Sequence, residues 1–240
     1  MSSFFKHEYW NLTRNPAMGL IFVIPMWSCY EVLAFRLNHG WNGTQRTGID
    51  LLIIECFKYL GVNAGILFIF IVISFCVYLV LNVKSIQNVK KNPYILLGMF
   101  IESVIYAVLF GMLLGFLMNI FLIMNITTME QSRVAVLVKN LGSGVYEEFA
   151  FRLVYISGFL VAMKKVMLKY KNLIYCCAIL SSSIIFALFH HLALFNEPFQ
   201  WELFLFRLIA GVAFSALFLL RGYGVTAYTH TFYNLFLMFR

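Results

Sequence analysis

The chain has 240 residues, of which 62% are hydrophobic and only 12% are charged, and its mean hydropathy is +0.86. Soluble domains are about half apolar and about a quarter charged, so this chain has too little polar surface for a water-facing globule. That excludes a soluble enzyme, a disordered regulator or a nucleic-acid-binding protein, whereas a formal net charge of +8 is typical of a polytopic membrane protein with basic cytoplasmic loops.

Continuous apolar segments predict seven membrane-spanning helices. A bilayer core of about 30 Å requires about 20 apolar residues per helix. By this measure the predicted spans lie near 17–35, 61–83, 94–124, 144–163, 172–195, 199–220 and 224–239. The shorter apolar segment 51–60 contains Glu55 and Lys58, which favours an interfacial or re-entrant segment and leaves an eighth span open. There is no internal repeat or linker, so we predict a single all-α domain over 1–240.

The lysines and arginines predict which end of the bundle faces the cytoplasm. With seven spans and the N-terminus inside, the inner segments contain ten basic residues and the outer segments six. The inner residues are Lys6, Arg14, Lys84, Lys90, Lys91, Lys164, Lys165, Lys169, Lys171 and Arg221. The outer residues are Arg36, Arg46, Lys58, Arg133, Lys139 and Arg240. The positive-inside rule therefore predicts a cytoplasmic N-terminus and an external C-terminus.

The cysteines and one pair of glycines predict roles in helix packing, not in disulfide formation, metal binding or catalysis. The five cysteines lie in or beside apolar runs, without the spacing of a disulfide framework or a zinc site; they are Cys29, Cys56, Cys76, Cys176 and Cys177. Gly111 and Gly115 form a G-x-x-x-G pair in the third predicted span, a pattern that suggests close helix packing.

Three ionisable residues fall within the fourth predicted span, where a charged side chain costs about 2.5–3.5 kcal/mol and normally faces the bundle interior. Glu148 and Arg152 share a helix face at an i,i+4 spacing and can form an ion pair. Glu147 lies about a quarter turn away and has no such partner on its own helix. We therefore interpret Glu148 as a compensated, supporting residue and Glu147 as a carboxylate available for general acid–base chemistry.

Two later spans contain further polar residues. Phe186 and His190 lie one turn apart, so the aromatic ring can support the imidazole. His230 and Asn234 are also one turn apart and offer two hydrogen-bond donors toward one point, as a developing oxyanion requires. His191 points elsewhere and is interpreted as an interfacial residue.

Each of these elements also has a purely structural interpretation. Glu31 and Glu102 lie in other predicted spans and indicate that a carboxylate in this chain need not be catalytic. A single buried histidine more often packs or forms a hydrogen bond, and an isolated Glu–Arg pair usually joins helices. The combination of Glu147, His190 and the later His–Asn pair on three spans favours a functional interpretation.

The order and spacing of these residues resemble the CAAX protease and bacteriocin-processing family of intramembrane endopeptidases. That family carries two glutamates with an arginine four residues after the second, then phenylalanine with histidine four later, then histidine with asparagine or aspartate four later. The corresponding residues here are Glu147 and Glu148 with Arg152, Phe186 with His190, and His230 with Asn234. The resemblance covers roughly 144–236, and Leu153 departs from the glycine that many members have after the arginine.

The resemblance implies a role for each matching residue. Glu147 would activate the attacking water, with help from His190. His230 and Asn234 would bind the oxyanion of the tetrahedral intermediate. The residues with a supporting role would be Glu148, Arg152 and Phe186.

The resemblance also implies a fold, a substrate and a location. The seven or eight helices would enclose a polar cavity, with a catalytic core over 144–239. The substrate would be a hydrophobic peptide in contact with membrane lipid: a leader, a C-terminal sorting tail or a CAAX-type segment. A length of 240 residues without an organelle-retention signal favours a prokaryotic plasma membrane.

Three hypotheses compete with a metal-free protease. The first is a zinc protease, because Glu147, His190 and His230 match a known set of catalytic zinc ligands. We favour a glutamic peptidase without a cofactor, because the His-Glu-x-x-His pattern is absent and Asn234 is a poor zinc ligand but a good donor. The second is a non-proteolytic scaffold or immunity protein of the same fold, and the third is a transporter or proton relay.

Overall fold

The computed structural model describes residues 9–83, 87, 94–121, 132–191 and 199–238. Its regular elements over these ranges are all helical, which confirms the predicted all-α fold. The α-helices are α1 Pro16–Leu37, α2 Gly48–Tyr59, α3 Ala64–Leu81, α4 Tyr94–Phe121, α5 Arg133–Gly142, α6 Ser157–Ala162, α7 Lys164–Phe189, α8 Trp201–Arg221 and α9 Tyr223–Met238. Between α5 and α6 the chain forms two π-helical segments, the first over Ser143–Glu147 and the second over Phe149–Ile156.

Five of the described helices are long and apolar enough to cross a bilayer, so this is an integral membrane protein. They are α1, α3, the Tyr94–Phe116 part of α4, the Lys169–Phe189 part of α7, and α8. The predicted spans 144–163 and 224–239 are helical but shorter as regular elements: the former contains the two π segments, and α9 has 16 residues. The predicted ends at 122–124 and 192–195 lie outside the described residues.

Helix α9 lies at the centre of the bundle, where it packs against α1, α4, α5, α8 and both π segments. Glycines permit its closest approach to α1. A Cβ added to Gly19 would lie 2.9 Å from the backbone nitrogen of Gly224, so the two helices meet backbone to backbone. This contact fixes the start of α9, and therefore the position of the polar residues that follow on the same helix.

The outer surface of the bundle is apolar, as a lipid-facing surface must be. Within the described chain, Gly111 does not lie at a close contact between helices, because a Cβ there would meet nothing within 4 Å. The neighbouring Met112 and Phe116 are 66% and 64% exposed, so this face of α4 is directed outward. The five cysteines are free and exposed, as expected for residues without a disulfide framework.

Candidate active site

The residues Glu147 and Glu148 lie at the junction of the two π segments, a rare helix form that occurs frequently at functional sites. Gly144 brings this junction against α9. A Cβ at Gly144 would lie 1.9 Å from Oγ1 of Thr231 and 2.5 Å from the carbonyl oxygen of Ala227. Only glycine fits at this distance, so the glutamates are held directly beside the helix that carries His230.

Glu148 joins three elements of the site and is completely buried. Its Oε1 atom accepts from Nη1 of Arg152 at 3.1 Å, which confirms the predicted i,i+4 pair. The same oxygen is 2.7 Å from Nδ1 of His230, a contact that the sequence did not predict. Because a carboxylate accepts and does not donate, Nδ1 carries the proton of this hydrogen bond. Glu148 therefore positions both the arginine and the imidazole.

Aromatic rings and one backbone carbonyl surround this ion pair. Nη2 of Arg152 donates to the carbonyl oxygen of Gly211 at 3.3 Å, and the guanidinium lies 4.5 Å from the centroid of the Phe186 ring. The ring of Phe214 stacks on His230 with centroids 4.4 Å apart. Phe186 therefore has a second role beyond supporting His190. Sequence reasoning did not identify Phe214, which lies in an α8 segment rich in apolar residues.

Glu147 and His190 lie together, as the resemblance implies. Oε1 of Glu147 is 3.7 Å from Nε2 of His190, and the Glu147 residue is 5% exposed. Nδ1 of His190 is 2.9 Å from the carbonyl oxygen of Phe186. A carbonyl oxygen can only accept, so the Nδ1 proton is directed to the backbone and the ring presents Nε2 to the carboxylate. The Phe186 ring centroid lies 4.8 Å from that of the imidazole, in an edge contact.

His230 and Asn234 do not donate toward a common point in this structure. Nδ2 of Asn234 donates to the hydroxyl of Ser143 at 3.0 Å, whereas Nδ1 of His230 is directed to Glu148. The two residues nevertheless lie on one face of α9, one turn apart. His191 packs its ring 4.8 Å from that of Phe199 and lies away from the glutamates.

The residues do not form a three-ligand metal site. Over the described ranges, no three His, Cys, Asp or Glu side chains are arranged to hold a metal ion. Glu147 and His190 approach each other, but His230 is bound to Glu148 through Nδ1. Among the described residues, Glu147, His190 and His230 thus do not form a ready-made set of three zinc ligands.

A second buried polar cluster adjoins the site and was not predicted. The hydroxyl of Tyr146, the residue before Glu147, donates to Glu31 of α1. Arg46 also binds Glu31, at 3.2 Å, and binds Asp50 at 2.6 Å. The Tyr30 hydroxyl donates to Asp50 at 2.6 Å. We call these residues the N-terminal cluster: Tyr30, Glu31, Arg46, Asp50 and Tyr146.

The N-terminal cluster ties the first half of the chain to the catalytic segment. Burial alone would lower the pKa of Arg46, but Asp50 and Glu31 raise it overall, so the guanidinium stays charged. The sequence contained a partial signal, because Arg46 and Asp50 have the i,i+4 spacing of an ion pair. Their meeting with Tyr146, about 100 residues later in the chain, depends on tertiary packing.

Comparison with known proteins gives a match for the C-terminal part of the chain. The family model described as type II CAAX prenyl endopeptidase Rce1-like matches residues 130–236, the part of the chain that contains both glutamates and the later histidines. No curated protein and no solved structure matches the chain. The match confirms the family that the sequence motifs resemble. Residues 130–236 of this integral membrane protein are similar to type II CAAX prenyl endopeptidases, and this match supports membership of the CAAX protease family.

Proposed function

We propose that this endopeptidase cleaves a membrane-associated peptide with a water molecule activated by Glu147. The observation that carries the proposal is the buried pair of Glu147 and His190, whose facing atoms are 3.7 Å apart. A water molecule can lie about 2.8 Å from both atoms and donate one hydrogen to each. Such a water is polarised by a carboxylate and an imidazole together, which is the arrangement that general-base attack on a peptide carbonyl requires.

His190 is the better placed of the two site histidines to assist this step. Its Nδ1 proton is held by the Phe186 carbonyl, so the ring cannot rotate without losing that hydrogen bond. The orientation leaves Nε2 as the basic nitrogen on the side of Glu147. After attack, Glu147 would hold the proton taken from water and return it to the leaving amine.

We further propose that His230 and Asn234 stabilise the oxyanion. With Nδ1 of His230 directed to Glu148, the imidazole can donate to an oxyanion only through a protonated Nε2. The amide of Asn234 has a second N–H besides the one that binds Ser143.

The proposed reaction uses no metal ion. Its support is the donor set, since no three described His, Cys, Asp or Glu side chains are arranged to hold a metal ion and Asn234 is a poor zinc ligand. The proposed partners are membrane lipid and a hydrophobic peptide or protein segment, and the proposed location is a prokaryotic plasma membrane. A zinc-dependent reaction would instead require stoichiometric metal in active protein.

The test uses purified full-length protein with a library of fluorogenic hydrophobic peptides. We expect Glu147→Gln to lower kcat by about 10²–10⁴-fold and Asn234→Ala by about 10²–10³-fold. Glu55→Gln is the matched control, because Glu55 is an exposed glutamate on α2 that pairs with the nearby Lys58. A chelator should leave wild-type cleavage unchanged.

Three results would contradict parts of this proposal. Full activity of Glu147→Gln would refute the glutamate mechanism. Loss of activity with the chelator, restored by zinc, would support the metal-dependent reaction. Absence of cleavage with every peptide, while all variants are equally well folded, would favour the non-proteolytic scaffold.

A further inference from the structure

One end of the bundle, which we call the basic end, brings together the start of α1, the end of α6 and the end of α8. Nη2 of Arg14 donates to the carbonyl oxygen of Leu219 at 3.0 Å. A groove at this end is lined by Arg14 together with Ser157 and Leu160. Helix α7 begins at Lys164, immediately after this point, so the lysine cluster 164–171 belongs to the same end.

The Glu147–His190 pair lies toward the opposite end, which we call the catalytic end. The apolar part of α7 runs over the 21 residues Lys169–Phe189, and His190 follows directly. The helix is kinked at Tyr170, and the part that follows the kink is about 28 Å long at about 1.5 Å per residue, close to the thickness of the hydrocarbon core. Lys169 and His190 are therefore separated by one bilayer. The position of Glu147 follows from its distance of 3.7 Å to His190.

Contacts around the first π segment show independently which segments lie at the catalytic end. A Cβ on Gly142, the last residue of α5, would lie 2.2 Å from the side chain of Thr47, in the connection between α1 and α2. The side-chain nitrogen of Asn140 contacts the sulfur of Met238 at the end of α9. The loop 38–47, the glutamates and the C-terminal end of α9 therefore all lie on the side remote from the lysine cluster.

The two ends differ in their basic residues. Those described at the basic end include five exposed side chains, namely Arg14, Lys164, Lys165, Lys169 and Lys171. At the catalytic end the exposed basic residues are fewer: Arg36 and Arg133 are exposed and Lys58 is exposed but pairs with Glu55, whereas Lys139 is half-buried and Arg46 is 3% exposed and bound by two carboxylates. Exposed lysines and arginines beside a membrane are attracted to the anionic cytoplasmic leaflet, and basic loops stay in the cytoplasm.

We infer that the catalytic end opens to the non-cytoplasmic side of the membrane, so the substrate is a membrane-anchored segment of an exported polypeptide. The bond to be cleaved must then lie within or just outside the outer leaflet, because Glu147 is close to that end of α7. A lipid-modified C-terminus presented from the cytoplasm would approach the basic end instead. This inference depends on the proposed function for the identity of the catalytic pair, but not for the direction in which the pair faces.

The first experiment maps the two ends in the full-length chain in cell membranes. The five cysteines are replaced by serine, and a single cysteine is introduced as Thr44→Cys at the catalytic end or Val166→Cys at the basic end; both positions are exposed. A membrane-impermeant maleimide should label Thr44→Cys on intact cells and Val166→Cys only after permeabilisation. The reverse pattern would overturn the inference. If the serine variant no longer folds, a reporter is fused to either terminus of the unmodified chain instead. The side of the membrane on which each reporter is active then gives the orientation.

The second experiment measures from which side of the membrane the substrate is cleaved. The library peptide that is cleaved best receives a poly-aspartate tail, so that it cannot cross a membrane, and is added to sealed right-side-out or inside-out vesicles. We expect cleavage by right-side-out vesicles and none by inside-out vesicles until detergent opens them. Cleavage by inside-out vesicles alone would refute the inference and leave the proposed function intact. Equal cleavage by Glu147→Gln vesicles would instead refute the proposed function.

Discussion

Removal of the Glu148 carboxylate is expected to destabilise the protein more than removal of any exposed glutamate. Glu148→Ala removes the ion-pair partner of Arg152, which is completely buried and keeps a hydrogen bond to the carbonyl of Gly211 and contacts with aromatic rings. It also removes the acceptor of His230. Breaking a buried ion pair from one side costs about 3–5 kcal/mol. Both contacts use the same oxygen, so their losses overlap and we expect about 3–5 kcal/mol in total.

The assay is reversible unfolding of the purified protein in detergent micelles, followed by far-UV circular dichroism. Glu55→Ala is the matched control: Glu55 also pairs with a cation on its own helix, but its side chain is 58% exposed. Exposed pairs contribute about 0–1 kcal/mol, and solvent screening places this one at the lower end. Equal losses for the two variants would refute the argument that burial of Glu148 sets the magnitude.

A double variant distinguishes the effect of an unpaired buried charge from the effect of lost packing. Replacing Glu148 and Arg152 together by methionine removes the unpaired cation, and apolar replacement of a buried pair is often neutral in stability. We therefore expect the double variant to recover much of the stability that Glu148→Ala loses. A double variant as unstable as the single variant would show that the loss comes from packing or from His230, not from an uncompensated arginine.

Two further substitutions test the contacts that position the glutamates. Tyr146→Phe removes the hydroxyl that donates to Oε1 of Glu31, while Arg46 still binds Oε2, and it should lower stability by about 1–3 kcal/mol. We also expect kcat to fall with KM nearly unchanged, because Glu147 is the next residue. An unchanged kcat would show that the N-terminal cluster does not influence catalysis. Gly144→Ala would place a methyl group 1.9 Å from a Thr231 oxygen and should cost at least about 1–3 kcal/mol in the same unfolding assay. Gly111→Ala, with nothing within 4 Å, is its control, and equal effects would contradict the close approach.

Contacts within one helix could be predicted from the sequence. The pairs Glu148–Arg152 and Phe186–His190 both have an i,i+4 spacing, and both are in contact in the structure. Helical geometry alone determines such contacts, and it does so even where the helix is π-wound. The proximity of Glu147 to His190 required more than spacing, and it was expected only because the ordered motifs resemble a known family.

Contacts between helices could not be predicted in the same way. Helices such as α3 and α4 are apolar around their whole circumference, so their sequences do not indicate which face is turned inward. The expected donor pair of His230 and Asn234 illustrates the consequence. Their common helix face was predicted correctly, but the partners Glu148 and Ser143 come from another element, and those partners determine where each side chain donates.

The segment that matches the family model should not be sufficient for activity on its own. Within 130–236, Tyr146 needs Glu31, and the fully buried Arg221 binds Glu102 and Thr13, all of which lie before residue 130. Without these partners a cation and a hydroxyl that are buried in the full-length protein would lose their hydrogen-bond partners, and such groups cost several kcal/mol when buried unpaired. We therefore expect 130–240 expressed alone to be inactive and rapidly degraded, and co-expression of 1–129 to restore both its abundance and its peptide cleavage. Full activity of the isolated segment would refute this dependence, and would reduce the N-terminal cluster to a packing contact without influence on Glu147.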